Sequence, residues 1–220
     1  MSASVAAVRV DQRKVVLRGV SPLVWRRTLV RSDTTLAQLH RVLQLVMGWE
    51  DGHLQHFRIH GRDHGSSALG RSTYHDNPNA HTLADFRLRP RERFAYVHDR
   101  GAWWQHDIRL EQVLPLDPTG AYPVCTGGRQ ACPPEECRGP GGYRALLRER
   151  VSLAAVDDLG LIAEAVRRFL EDGDRGTPDE REHLAAALAR AKECDRLDTD
   201  RFDRRAVNRA LQHLEHMAAG

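Results

Sequence analysis

The sequence predicts an α+β fold, in which an antiparallel sheet packs with helices and a helical extension follows at the C-terminus. Two observations carry this prediction. Apolar and polar residues alternate in several segments before residue 112, whereas apolar residues recur at helical spacing after residue 150. The predicted domains are an α+β body over residues 1–150 and a helical extension over residues 151–220 that packs on it.

β-branched and aromatic residues predict four strands, at residues 8–20, 56–59, 93–99 and 104–111. Val24 and Trp25 lead into a further extended piece. A turn at Arg100-Gly101-Ala102 joins the last two strands into a β-hairpin. The polar stretch that precedes this hairpin, up to about residue 90, has few periodic apolar positions and is predicted to be a loop.

Helical spacing of apolar residues predicts a first helix over residues 34–47, with Asp33 or Thr34 as its N-cap and Gly48 just past its end. Three helices follow late in the chain. One contains residues 161–170 and ends at Gly173, one opens at the capping box Thr177–Glu180 and runs to Cys194, and one covers residues 203–217. If its apolar stripe of Val207, Leu211, Leu214 and Met217 is uncovered, it is expected to be a surface either for a homodimer through the C-terminal helices or for another partner.

Charge and cysteine content bound the classes of function. The 33 basic and 30 acidic residues give a formal charge of +3, so no overall field favours nucleic acid or an anionic membrane. No secretory leader or membrane-spanning run is visible, which predicts a cytoplasmic protein without a membrane partner. In that compartment the four cysteines would be free or metal-bound rather than in disulfides.

The segment from Cys125 to Tyr143 combines three thiols, two adjacent carboxylates and many Gly and Pro residues. Proline lacks a backbone donor and glycine permits positive φ, so this composition predicts a shaped loop, which is a frequent place for a functional site.

Four pieces of the chain, in order, resemble the plasmid pRiA4b ORF-3-like family. They are Pro22-Leu23-Val24-Trp25-Arg26 with Gly48-Trp49, then His53-Leu54 with Phe57, then Tyr96 to His106, then Cys125 to Tyr143. The resemblance covers about residues 8–147 and implies an α+β domain with an antiparallel sheet. It also implies a place among plasmids, transposons and other mobile elements, and it implies no defined biochemical activity.

This chain departs from the family pattern at several positions. Arg100 and Ala102 stand where the hairpin usually has Phe and Asp, and Glu136 and Arg138 stand where the loop usually has Asp and Gly. The missing carboxylate at Ala102 weakens a metal or acid/base role.

Three hypotheses about the chemistry remain open. The first is a zinc site on Cys125, Cys132 and Cys137, although their spacing differs from that of a zinc knuckle, and the alternative is that Cys125 and Cys132 are small buried side chains.

The second is a metal-dependent hydrolase at the Asp99–His106 hairpin and the Cys125–Cys137 loop. Its catalytic residues would be Asp99, His106 and Glu136, and its substrate-binding residues His53, Trp104 and Glu135. Turn chemistry at Asp99 and a core position for His106 are the structural alternatives.

The third hypothesis is a binding module for nucleic acid or for a protein of the same mobile element. Arg87, Arg89, Arg91 and Arg93 recur at a spacing of two, which would align four guanidinium groups if the segment is extended. The alternative is an edge strand that uses positive charge to resist aggregation. The accessory binding module is the function we expect, a metal-dependent hydrolase is the second, and an enzymatic role stays undecided.

Overall fold

The computed structural model describes residues 7–50, 52–65, 77–150, 152–195 and 201–218. Packing divides the chain into two compact units. The first contains residues 1–140 together with residues 200–220, and the second contains residues 141–199. The predicted division at residue 150 stays a prediction, and the last helix belongs to the first unit.

The first unit contains an antiparallel sheet of seven strands in the order β4-β3-β5-β6-β1-β2-β7, which confirms the predicted α+β class. The strands are β1 (Arg9–Leu17), β2 (Trp25–Arg31), β3 (Gln55–Ile59), β4 (Arg62–Gly65), β5 (Arg93–His98), β6 (Trp104–Pro115) and β7 (Val124–Arg129). Its helices are α1 (Leu36–Met47) and the last helix of the chain, α5 (Arg204–Ala218).

Helix α1 begins two residues later than predicted, at Leu36. The Thr35 hydroxyl accepts from the Gln38 N–H, and the Gln38 side chain accepts from the Thr35 N–H, forming a capping box. The predicted caps, Asp33 and Thr34, were wrong because Asp33 is held in an ion pair with Arg31 and Thr34 lies in the turn before the helix. The helix ends as predicted at Gly48, which has a φ of 77°.

One face of the sheet is buried under α1. Core side chains from both elements are fully buried, among them Leu17, Phe57, Tyr96, Trp104 and Ile108 from the strands and Leu36, Leu39 and Leu43 from α1. Many of the alternating residues on the other sheet face are exposed or half-buried, although Val97 of β5 is buried there, and this is typical of an antiparallel sheet with one face largely toward solvent.

Helix α5 packs against β7 and α1. Asp203 caps it as predicted, accepting from the backbone of Arg205 and Ala206. Just before it, the ring of Phe202 lies 4.0 Å from the Arg26 guanidinium carbon. A Cβ on Gly128 would come within 2.4 Å of that ring, so glycine permits this close packing.

Two segments predicted as loops contain regular structure. Strand β4 lies in the polar stretch, and it was missed because a short polar edge strand is held by backbone pairing with β3 rather than by an apolar pattern. The segment from Cys125 contains most of β7, a 3₁₀ turn over Glu135–Cys137 and the start of α2 (Pro140–Arg150). Strand β7 was missed because glycine is uncommon inside strands. Gly128 is tolerated in β7 because the Phe202 ring lies where a Cβ would be.

The second unit contains α3 (Leu153–Asp172) and α4 (Pro178–Asp195), which contact each other, and most of α2. The predicted ends are confirmed: Gly173 caps α3 at a φ of 67°, and Thr177 and Glu180 form the capping box of α4. Val166, Phe169 and Leu170 on α3 are exposed. Searched over the described residues, no helix has the length and apolar content needed to cross a membrane.

The predicted homodimer stays a prediction. On α5 the side chain of Leu211 is fully buried, and Val207 and Leu214 are half-buried, so much of the predicted stripe already packs within the first unit. The side chain of Met217 lies outside the described residues.

Candidate functional site

A cleft of about 680 Å³ opens between the end of α1, the β5–β6 turn and the Glu135–Cys137 turn. Its lining residues are Gly48, Trp49, Glu50, Gly52, His53, Asp99, Cys132, Pro133, Pro134, Glu135, Glu136 and Arg138. We call it the acidic cleft, because its lining contains four carboxylates and a single guanidinium group.

The centre of the cleft is the carboxylate of Glu135. Its Oε1 atom accepts a hydrogen bond from Nε2 of His98 at 2.5 Å, and its Oε2 atom accepts from the Glu50 N–H at 3.1 Å. His98 has no solvent exposure, whereas the Glu135 side chain is 15% exposed. One carboxylate therefore reaches from a buried imidazole to the cleft surface.

Behind His98, a chain of hydrogen bonds runs into the core. With Nε2 of His98 donating to Glu135, its Nδ1 accepts from the Gln44 amide at 3.2 Å. The same amide donates to the Tyr96 hydroxyl at 2.8 Å, and that hydroxyl lies 2.7 Å from Nδ1 of His40. Such a network holds His98 in one orientation, because each broken link leaves a buried polar group unsatisfied.

Trp49 fastens the Pro133-Pro134 segment to this network. Its indole N–H donates to the Pro133 carbonyl at 2.9 Å. Its ring stacks on His98, with centroids 5.4 Å apart and planes 22° apart. The prolines predicted as part of a shaped loop thus position Glu135, the next residue, over His98.

His53 and Asp99 form the mouth of the cleft. The ring of His53 is 49% exposed, with Nε2 3.6 Å from the Glu135 carboxylate and Nδ1 3.9 Å from that of Asp99. Asp99 has a φ of 53°, and its Oδ1 accepts from the Gly101 N–H at 2.8 Å. That local bond holds the carboxylate beside His53.

The structure brings five predicted site residues into one cleft: His53, Asp99, Cys132, Glu135 and Glu136. It places Trp104 and His106 beneath the cleft, both without solvent exposure. The rings of Trp49 and Tyr96 each lie 5.3 Å from that of His106. Burial lowers the pKa of His106 to about 3, outweighing the raising effect of nearby backbone groups, so the ring is neutral. The site roles predicted for these residues stay predictions.

The three predicted zinc-ligating cysteines lie in different surroundings. The backbone of Cys125 in β7 pairs with the side chain of Asn208 in α5, Cys132 lies 3.8 Å from the Met47 sulfur, and Cys137 is buried in the 3₁₀ turn. Over the described residues, no three His, Cys, Asp or Glu side chains are grouped to hold a metal ion. Zinc binding stays a prediction.

The thiols of Cys125 and Cys132 are expected to react slowly. Burial raises the pKa of both, and the thiolate is the reactive form. Native protein treated with a disulfide reagent and mapped by mass spectrometry should carry little label at these two positions, whereas unfolded protein should be fully labelled. Fast labelling of Cys132 in native protein would contradict this. Labelling that becomes fast only after a chelator is added would instead support zinc.

The four predicted nucleic-acid-binding arginines are exposed but not aligned. Arg87 and Arg91 have φ values of 48° and 78°, and only Arg93 lies in a strand. The segment is not extended, because the Arg87 N–H donates to the Ala84 carbonyl and the Glu92 N–H to the Arg89 carbonyl in turns, so the condition for the predicted alignment is not met. Nucleic-acid binding by these arginines stays a prediction. Over the described residues, none of these four guanidinium groups lies within ion-pair distance of a carboxylate.

Sequence reasoning missed His98 and Trp49 as site residues. The signal was present, because alternation in β5 places His98 on the buried face with Phe94 and Tyr96, pointing toward α1. A buried histidine at the end of a strand, next to a carboxylate-rich segment, is a reasonable candidate for a site. What the sequence did not show is which of the two adjacent glutamates it meets.

Comparison with known proteins covers the part of the chain that forms the sheet and the acidic cleft. The model of the plasmid pRiA4b ORF-3-like protein family matches residues 9–154, the range that contains all seven strands and the acidic cleft. The chain belongs to this family. Where the family pattern has glycine, Arg138 has a φ of 56°, a conformation that glycine adopts more readily.

Two relatives extend the comparison. The uncharacterized protein y4hQ of Sinorhizobium fredii (strain NBRC 101917 / NGR234) is 36% identical over 135 residues, which are 60% of this chain and 68% of the relative. A crystal structure of a protein of unknown function, MM3350 from Methanosarcina mazei Go1, is similar with a TM-score of 0.64 and 26% identity. That similarity covers 90% of this chain and 96% of the other.

Proposed function

We propose that this pRiA4b ORF-3-like protein is an accessory binding module whose acidic cleft receives an arginine side chain of a partner protein. The observation that carries the proposal is the pair of carboxylates at the mouth, Glu135 and Asp99, which lie 3.6 and 3.9 Å from the His53 ring between them. The family is named after a plasmid reading frame, which supports a partner encoded by the same mobile element.

The charge of the cleft favours a cation. Glu50, Asp99, Glu135 and Glu136 outnumber Arg138 in its lining, so a ligand with positive charge would reduce their mutual repulsion. The negative charge of a phosphate backbone would increase this repulsion. The acidic cleft is therefore the wrong surface for nucleic acid and a suitable one for a basic side chain.

The geometry of the carboxylates favours arginine over lysine. Glu135 is held by His98 and by the Glu50 N–H, and Asp99 by the Gly101 N–H, so both acceptors are fixed before binding. A planar guanidinium has five donors and pairs with fixed carboxylates through two parallel hydrogen bonds, whereas an ammonium acts as a point charge.

Glu135→Gln is expected to abolish this binding. The probe is Nα-acetyl-arginine amide, and its control is the citrulline analogue, which has the same shape without the charge. At ten times the dissociation constant the arginine probe should stabilise native protein by about 1.4 kcal/mol, measured as a rise in the melting temperature. The citrulline probe, and the arginine probe with Glu135→Gln, should give no rise.

The matched control is Glu182→Gln in α4, which removes one carboxylate outside the cleft. It should leave the response to the arginine probe unchanged. Equal stabilisation by the arginine and citrulline probes would contradict the proposal, as would an equal loss of response in the two glutamine variants.

A hydrolase is the second candidate, favoured by one observation. His53 is exposed at the cleft mouth between two carboxylates, an arrangement that suits a general base activating water. Asp99 would orient the ring, and Glu135 would stabilise its charged form. The test substrates are p-nitrophenyl acetate and p-nitrophenyl phosphate. Hydrolysis of either one that is lost in His53→Gln would favour this candidate. If neither is hydrolysed and the arginine probe still binds, the binding module would be favoured.

A further inference from the structure

Four basic side chains form a row across the outer face of the sheet. Arg93 of β5 is paired in register with Arg109 of β6, Arg109 with Lys14 of β1, and Lys14 with Arg27 of β2. Residues directly opposite on adjacent strands project from the same face. We call this set the basic row, and a strand spacing of about 4.8 Å gives it a span of about 14 Å.

The basic row faces away from the core. The neighbours of its members along each strand are buried, such as Phe94, Ile108 and Val15, whereas Arg93 and Arg109 are exposed and Lys14 and Arg27 are half-buried. The alternation of the strands therefore points the four charged groups to the outer side.

The charges of the row are compensated at one end only. Arg27 forms two hydrogen bonds with Glu111, at 2.6 and 3.1 Å, and Lys14 lies 4.9 Å from the centre of the Trp25 ring. Over the described parts of the chain, neither Arg93 nor Arg109 has a carboxylate within ion-pair distance. Arg91 adds to this end, because its N–H donates to the Leu110 carbonyl beside Arg109.

Protection of a sheet edge does not explain the row. Strands β5, β6, β1 and β2 are all internal, and the edges of the sheet are β4 and β7. Like charges directly opposite each other on neighbouring strands destabilise a sheet. A row of them on internal strands therefore costs stability, which a bound polyanion would offset.

We propose that the basic row binds the phosphate backbone of single-stranded nucleic acid. A four-stranded face is too broad to enter a groove of a duplex, which admits one helix or a two-stranded ribbon, whereas a single strand can lie across it. Trp25, at the Arg27 end, adds an aromatic ring of the kind on which unpaired bases stack. This site is separate from the acidic cleft and goes beyond the function proposed for it.

The test is fluorescence anisotropy with a labelled oligothymidylate of about 15 nucleotides, a length that one sheet surface can cover. The double variant Arg93→Gln, Arg109→Gln is expected to bind about tenfold more weakly at low salt. The slope of log affinity against log salt should become shallower by about 1.4, because each lost phosphate contact contributes about 0.7 on a single strand.

Two further variants serve as controls: one removes the same charge elsewhere, and one is expected to strengthen binding. The pair Arg144→Gln, Arg148→Gln removes the same charge from exposed positions of α2 and should leave affinity and slope unchanged. Glu111→Gln frees Arg27 and should tighten binding by about threefold, opposite in sign to the loss of arginines. Both arginine pairs must fold, which circular dichroism checks.

Several outcomes would overturn the proposal. These are no binding of the oligothymidylate, equal weakening by the two arginine pairs, equal affinity for a duplex of the same length, or an equal dependence on the row for binding to phosphatidylserine vesicles. Glu135→Gln should leave oligothymidylate binding intact, so failure at the basic row is distinguishable from failure at the acidic cleft.

Discussion

Replacing Gly139 with alanine is expected to lower the free energy of unfolding by about 3 kcal/mol or more. Gly139 has a φ of 95°, which side chains rarely adopt, and a Cβ there would lie 2.1 Å from the Ala102 carbonyl oxygen. Because that atom belongs to the backbone of the β5–β6 turn, it cannot move aside as a flexible side chain would. Denaturant unfolding followed by circular dichroism measures the loss.

The control for this change is Gly141→Ala. Gly141 lies in the first turn of α2, and a Cβ there would meet nothing within 4 Å. Alanine favours helix over glycine by up to about 1 kcal/mol, so this variant should be neutral or slightly more stable. Two variants with equal losses would contradict the argument that contact between the turn and Gly139 sets the effect.

The same contact positions the cleft. Gly139 holds the end of the segment that carries Glu135 against the hairpin that carries His98 and Asp99. If Gly139→Ala still folds, its cleft should bind the arginine probe more weakly, although no cleft side chain has changed.

Acid is expected to destabilise the protein through His106. The pKa of this ring is about 3 in the folded state, mainly because of burial, and about 6.5 when unfolded. The unfolded state therefore binds the proton more readily, and stability present above pH 6.5 is lost as the pH falls toward 3. For one such group the free energy of unfolding falls by at most about 1.4 kcal/mol per pH unit. Between pH 6.5 and pH 3 the total loss is about 4 kcal/mol.

His106→Leu removes that group while keeping an apolar side chain between Trp49 and Tyr96. Unfolding measured between pH 7 and 4 should show a shallower decline than in the unchanged protein. A residual decline is expected, because burial also lowers the pKa of His56. His183→Gln on exposed α4 should keep the full slope, and a slope that His106→Leu does not change would show that the ring is not held neutral.

The fold was largely predictable because apolar periodicity reports burial directly. The spacing of Leu36, Leu39 and Leu43 predicted α1. Gly173 predicted the C-terminal end of α3, and Thr177 predicted the N-terminal end of α4. The N-cap of α1 was not predictable, since Asp33, Thr34 and Thr35 are all suitable caps and contacts outside the helix decide among them: Asp33 pairs with Arg31, and the Thr34 carbonyl accepts from the Leu83 N–H. Strand β7 was hidden for a similar reason, because only Phe202, 74 residues after Gly128, explains its glycine.

The location of the candidate site was predictable from the sequence, but the hydrogen-bond partners of its side chains were not. His53, Asp99 and Glu135 were expected to converge, and they do. The partner of Glu135 was not expected, because His98 and Glu135 are 37 residues apart and nothing local links them. His106 followed the same alternation as His98, and only the three-dimensional packing shows that one ring reaches a carboxylate while the other lies among aromatic side chains.

The most direct test of the acidic cleft is a ¹H–¹⁵N correlation spectrum of the protein titrated with Nα-acetyl-arginine amide. The account predicts concentration-dependent shifts at the amides of Glu50, His53, Asp99 and Glu136, which surround the cleft, and none with the citrulline analogue. Shifts confined to other surfaces, such as the exposed side of α3, or the same shifts with both probes, would contradict the claim that these carboxylates bind a guanidinium group.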